Sequence, residues 1–150
     1  MYHSTENLIL KLRHYCAYQE RSQFEVEQKL NTLGADNEQS GTVMIHLIQE
    51  GFLNEQRFAI AFARGKFRMQ GWGKQKIKAG LRAKKVSDPL IKIALDSIDE
   101  TEYRKNLLDQ LRKLLTQNVT VESAKQKLYG RGYEFELIQE ASKELLSSDE

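Results

Sequence analysis

Cysteine and proline are almost absent from this chain, and each absence excludes something. Cys16 is the only cysteine in 150 residues, so no intramolecular disulfide can form and the mark of an oxidising compartment is missing. Pro89 is the only proline, so a single position lacks a backbone N–H. Lys, Glu, Gln, Leu and Ala are plentiful, so intrinsic propensity points to helix throughout. Strand-type alternation is nowhere sustained. No apolar run approaches the roughly 20 residues of a membrane span, and the opening Met1-Tyr2-His3-Ser4-Thr5-Glu6-Asn7 has no basic stretch leading into an apolar one. The chain therefore reads as cytosolic, without membrane contact. The most informative absence is of acids: between Gln56 and Ser87 there is neither Asp nor Glu. That stretch carries ten cations, leaving 13 cations against 21 acids elsewhere, so a net charge of +2 conceals a basic middle between acidic ends.

What is present is a repeat. An apolar residue is followed four positions later by Leu, and four later again usually by Gly: Val26, Leu30, Gly34; Ile77, Leu81, Lys85; Ala124, Leu128, Gly132. The Leu positions lie 51 and 47 residues apart, room for three short helices with tight turns. Each central helix has a start signal. Ser22 with Glu25 forms a capping box, Gly73 is a weaker cap, and Thr120 is followed by Glu122 in the first turn. Gly34 and Gly132 suit the left-handed residue that closes a helix. Flanking helices are expected before it at about 7–19, 54–69 and 101–117, and after it at about 37–50, 87–98 and 134–146, with Asp88 and Pro89 opening the second of these. The fold expected is all-α: three tandem three-helix repeats, about 5–52, 53–99 and 100–148, in one domain forming an elongated, curved array.

Within the basic middle, Lys74, Lys78, Arg82 and Lys85 recur at helical spacing beside the apolar Ile77 and Leu81. On the preceding helix Arg57, Arg64 and Arg68 form a second row opposite a face of Phe58, Phe62 and Met69. Lys66, Lys76 and Lys84 complete the set, and the two rows have the means to merge into one patch for phosphates. A charge run is ordinarily a solvated helix face, but helices usually intersperse charge signs, and 32 residues without an acid depart from that habit. Trp72, between Gly71 and Gly73, has two readings: a ring stacked on an exposed base, or, more simply, a plug between two helices. Phe58, Phe62, Tyr129, Tyr133 and Phe135 read as core or inter-repeat packing, and Cys16 as a small core residue. Catalytic readings fare poorly. His3, His14 and His46 are scattered, and one cysteine gives no zinc spacing. Glu25 with Glu27, and Glu134 with Glu136, point to different sides of a helix. Gly71-Trp72-Gly73 lacks the further residues of a phosphate-cradling loop.

The run Gly51-Phe52-Leu53-Asn54-Glu55-Gln56-Arg57-Phe58-Ala59, with Phe62, Arg68, Gly71-Trp72-Gly73, Ile77 and Leu81, resembles the middle of the RecX family. Arg21-Ser22-Gln23-Phe24-Glu25-Val26 with Lys29-Leu30 is similar to its first repeat, and Gln126-Lys127-Leu128-Tyr129-Gly130-Arg131-Gly132-Tyr133 to its third. Two positions depart: Asn54 precedes Glu55 where the family usually has acids directly after Leu, and Lys85 stands where Gly is usual. The resemblance implies three tandem three-helix repeats in a protein without catalytic residues or cofactor. It implies a protein that lodges in the groove of the RecA filament on DNA and restrains filament assembly, recombination and ATP hydrolysis. It also implies DNA binding, to single or double strands. A monomer is expected, with the ten cations of the basic middle as the DNA- or RecA-binding residues.

Overall fold

The computed structural model describes residues 2–148. Among them nine helices and no strand form, in three triplets. The first is α1 (Thr5–Tyr18), α2 (Gln23–Thr32) and α3 (Asn37–Gln49); the second α4 (Glu55–Gln70), α5 (Lys74–Ala83) and α6 (Asp88–Asp96); the third α7 (Glu100–Leu115), α8 (Val121–Gly130) and α9 (Phe135–Ser148). The flanking helices begin and end within two residues of the expected bounds.

Local chemistry explains the boundaries. Ser22 and Glu25 make the expected reciprocal capping box at α2, and Asp36 with Gln39 makes a second at α3. Asn54, Asp99 and Thr120 each accept a first-turn N–H of α4, α7 and α8. The three equivalent stop positions are all left-handed, Gly34 at φ 80°, Lys85 at 59° and Gly132 at 99°. Lys85 thus adopts the conformation that glycine takes elsewhere in the pattern.

The repeated stripe is the core of each unit: Val26, Leu30, Ile77, Leu81, Ala124 and Leu128 are all fully buried. Each of these Val, Leu and Ile side chains contributes about 1.5–3 kcal/mol over its exposed state, and Ala124 less. The core is not evenly shared, however. Leu8, Leu12, Val26, Leu30, Val43 and Leu47 form a cluster confined to the first triplet, extended by Leu53. The second and third triplets bury one continuous cluster, running from Phe58 and Phe67 through Tyr103 to Tyr133 and Ile138. Phe67, Tyr103 and Tyr133 pack ring on ring across that joint, with centroids 5.7 and 5.2 Å apart.

Three residues sit differently from expectation. Met69 is 88% exposed, and the inward residue of that turn is Phe67. α4 lays the small Ala59 and Ala63 with Phe67 into the core, and Met69, one residue before the helix ends, has no neighbour to cover it. Tyr129 and Phe135 are 65% and 57% exposed, whereas Phe58 and Tyr133 are buried and Phe62 is partly so.

Candidate nucleic-acid interface

The basic middle folds into α4, α5 and the turns that follow them, and most of its cations leave the helices outward. They leave on more than one side. Arg64 and Lys66 are two residues apart and so leave α4 on nearly opposite sides. Arg64 reaches the carbonyl of Ser97 at the end of α6 (3.5 Å), while Arg82 of α5 reaches Asp88 at its beginning (3.5 Å). Arg82 and Arg64 therefore stand at opposite ends of α6, and Lys74, paired with Glu100, comes to the same end as Arg64.

Five of the ten cations meet acids supplied by other segments. Arg57 pairs with Glu20 (2.7 Å) and Lys84 with Glu25 (3.3 Å), both of the first repeat. Lys74 pairs with Glu100 (3.2 Å) and Arg68 with Glu102 (3.5 Å), both of the third. Arg82 has Asp88 within its own repeat. The segregation of charge along the chain is thus partly resolved in space, with acidic ends gripping a basic middle. Such exposed pairs are individually worth about 0–1 kcal/mol, and a polyanion can compete for them. Arg64, Lys66, Lys76, Lys78 and Lys85 make no ion pair among the described residues. Lys85 lies over the Phe24 ring at 4.7 Å.

Trp72 is half-buried and combines features of both its readings. One edge meets Phe62 in a T-shaped contact with centroids 6.3 Å apart, which plugs the α4–α5 joint. Gly80 leaves room for this packing, since a Cβ there would come within 2.8 Å of Phe62. The ammonium groups of Lys66 and Lys76 stand 4.9 and 4.6 Å from the indole centroid, a cation–π arrangement. Lysine and aromatic are therefore interleaved.

The start of α5 is held by the third repeat, which sequence reasoning missed. Gly73 offers no capping side chain. Its N–H instead donates to the Arg131 carbonyl (2.8 Å), the Lys74 N–H to the Tyr103 hydroxyl (2.8 Å), and the Gln75 N–H to the Gly132 carbonyl (2.9 Å). Three otherwise orphaned donors are thus satisfied across the joint. The Tyr103 hydroxyl in turn donates to Glu134, and burial with that carboxylate raises it well above the ordinary phenol range. The Tyr133 hydroxyl donates to the Gly71 carbonyl (3.0 Å) and accepts from Gln110 (2.9 Å). Burial pushes it up to about 12. Both phenols are neutral hydrogen-bonding struts. The only sequence signal was Tyr133 directly after Gly130-Arg131-Gly132; Tyr103 lies within α7 with no glycine near it in the sequence.

Cys16 is buried, and burial lifts its thiol to about 11, which makes it an unreactive core residue. No three His, Cys, Asp or Glu side chains converge as a metal site among the described residues. None of the helices described is long and apolar enough to cross a membrane.

Three three-helix units in tandem define an all-α fold of the helical-repeat class. The family described as RecX, second three-helix domain, matches residues 54–95. The regulatory protein RecX of Lactobacillus johnsonii is 32% identical over 89 residues, 59% of this chain and 33% of that protein. The regulatory protein RecX of Chlorobaculum tepidum is 28% identical over 129 residues, 83% of this chain and 79% of that one. The crystal structure of RecX from Lactobacillus salivarius superposes with a TM-score of 0.84 at 22% identity, covering 94% of this chain and 96% of that one. The chain spans only about a third of the Lactobacillus johnsonii protein. The match over residues 54–95 and these relatives point to the RecX family, and the solved structure shares the fold.

Proposed function

We propose that this protein is a non-enzymatic regulator of the RecA recombinase. It binds the RecA filament on DNA and inhibits filament assembly, ATP hydrolysis and strand exchange, thereby modulating homologous recombination, DNA repair and the SOS response. It acts as a cytoplasmic monomer without a cofactor. The observation that carries this reading is the coincidence of the RecX match over residues 54–95 with a basic second repeat, half of whose ten cations from Arg57 to Lys85 have no acid partner among the described residues. Repeats that touch only their neighbours suit a long partner, and the basic middle faces DNA or an acidic protein surface.

Lys78, Arg82 and Lys85 leave one side of α5 and its closing turn; Arg82 and Lys85 are exposed, and their contacts are with Asp88 and the Phe24 ring. Changing all three to Glu should abolish inhibition of RecA's single-strand-dependent ATP hydrolysis while moving the melting temperature by no more than about 4 °C, since each exposed change costs about 0.5 kcal/mol or less. Inhibition equal to that of the unaltered protein would remove this face from the interaction. A second reading, a DNA-binding module independent of RecA, is favoured by the same unpaired cations. Binding to single strands should then weaken steeply with salt, by a log–log slope of about −0.7 for each phosphate neutralised. Salt-insensitive binding contradicts it.

A further inference from the structure

Tyr129 and Phe135 are large aromatics that a protein of this size would ordinarily bury, yet they stand 65% and 57% exposed at the α8–α9 turn. They form the shared rim of two adjoining depressions. One, of about 460 Å³, opens toward α5 and includes Gln75 and Lys76. The other, of about 420 Å³, lies between α8 and α9 and includes Lys125 and Ile138. The turn beneath them is rigid. Gly132 and Tyr133 are buried, and the Arg131 and Gly132 carbonyls are bonded to the start of α5. Rings on a fixed platform lose little freedom when something stacks on them.

Lys76 connects this rim to the second repeat, because it lines the first depression and also lies over the Trp72 ring at 4.6 Å. The surface therefore runs Lys66, Trp72, Lys76, then Tyr129 and Phe135, with Lys125 beyond. Cation and π-face alternate, as phosphate and base alternate along an unpaired strand. The neighbouring acids are partly occupied: Glu122 pairs with Lys125 at 3.6 Å, and Glu134 accepts from Tyr103. Glu134 and Glu136 also line the first depression, which favours a backbone path along the Lys76 side with bases turned onto the rings.

We infer that Tyr129 and Phe135 form a base-stacking subsite for single-stranded nucleic acid on the third repeat, continuous with the Lys66–Trp72–Lys76 stack of the second. This rests on the nucleic-acid side of the reading above and extends it beyond the basic middle.

The test uses the whole chain with a labelled oligothymidylate, an abasic strand of equal length, and the double variant Tyr129→Ala, Phe135→Ala. Trp72 is the only tryptophan, so its emission reports strand binding directly. The unaltered protein should bind the oligothymidylate with a change in Trp72 emission, and the abasic strand about tenfold more weakly. The double variant should bind the oligothymidylate about tenfold or more weakly, with its melting temperature and salt slope unchanged, because stacking is lost and phosphate contacts are kept. Full affinity in the variant, or equal affinity for the abasic strand, overturns the inference. Retained strand affinity with lost inhibition of RecA also overturns it and assigns the two rings to a protein contact. If the unaltered protein binds no single strand, the inference fails by itself, and RecA inhibition measured on the same preparation separately judges the filament reading.

Discussion

Gly73→Ala is expected to cost about 2–5 kcal/mol of stability and to loosen the joint between the second and third repeats. A Cβ on Gly73 would lie 2.3 Å from the carbonyl carbon of Gly132 and 2.4 Å from the nitrogen of Tyr133. Both obstacles are backbone, so no side-chain rotation relieves the collision. The φ of Gly73 is −80°, which any residue adopts, so the effect isolates packing from conformational strain. Separation of the two backbones would also lengthen the bonds from Gly73 N–H to Arg131 and from Gln75 N–H to Gly132, each worth about 0.5–1.5 kcal/mol. Gly65→Ala provides the contrast. It lies inside α4 with nothing within 4 Å of the added methyl, so alanine's better helix propensity should add about 1 kcal/mol. Urea unfolding of the two variants checks both signs. A Gly73→Ala protein within about 1 kcal/mol of the unaltered chain would mean that this joint is not closely packed.

Raising salt is expected to free the first repeat while leaving the other two joined. The first repeat has its own apolar cluster and meets the second mainly through polar contacts. These are the pairs Arg57–Glu20 and Lys84–Glu25, the Gln23 N–H donating to Glu55 at 3.1 Å, and Lys85 over Phe24. Burial raises the Glu55 carboxyl above its ordinary range, so even this bond carries a desolvation cost. The Debye length falls from about 10 Å at 0.1 M salt to about 3 Å at 1 M. Loss of about 1–2 kcal/mol of ion-pair attraction corresponds to roughly tenfold faster local opening. Hydrogen exchange at Leu8, Leu12, Leu30 and Leu47 should therefore accelerate about tenfold across that range, while Tyr103, Leu107 and Tyr133 keep their protection. Uniform acceleration along the chain would contradict a polar hinge. The same hinge links packing to function, since a polyanion that takes Arg57 and Lys84 from their glutamates acts as salt does, but only at this joint.

The sequence made the helices legible because their signals are local. The Val26–Leu30, Ile77–Leu81 and Ala124–Leu128 stripes, the Ser22–Glu25 box and the stops at Gly34 and Gly132 each depend on residues within one helix and its turn. Lys85 held its place in that pattern without being glycine, because the surrounding helices fix the turn and the cost of a left-handed lysine is only about 1–2 kcal/mol. What sequence could not supply is which helix lies across the way. α4 has two apolar rows, Phe58, Phe62 and Met69, and Ala59, Ala63 and Phe67. The close approach of α6 is what makes the alanine row central and leaves Met69 outside. Tyr129 sits one residue past the buried Leu128 and Phe135 opens α9, so only the docking of neighbouring units decides their exposure. The capture of Arg57, Arg68, Lys74 and Lys84 by acids 26 to 59 residues away is equally non-local, and it reduces the basic face to fewer free charges than the sequence suggests.

The most direct test of the account is to measure RecA's single-strand-dependent ATP hydrolysis while titrating in this protein, with RecA from the same source. Inhibition at amounts well below RecA is the predicted result, and it would point to action at filament ends or along cooperative runs. Unchanged hydrolysis at a molar excess, with the protein folded and binding strands in a salt-sensitive way, would contradict the filament reading and leave a DNA-binding module that shares the family's fold.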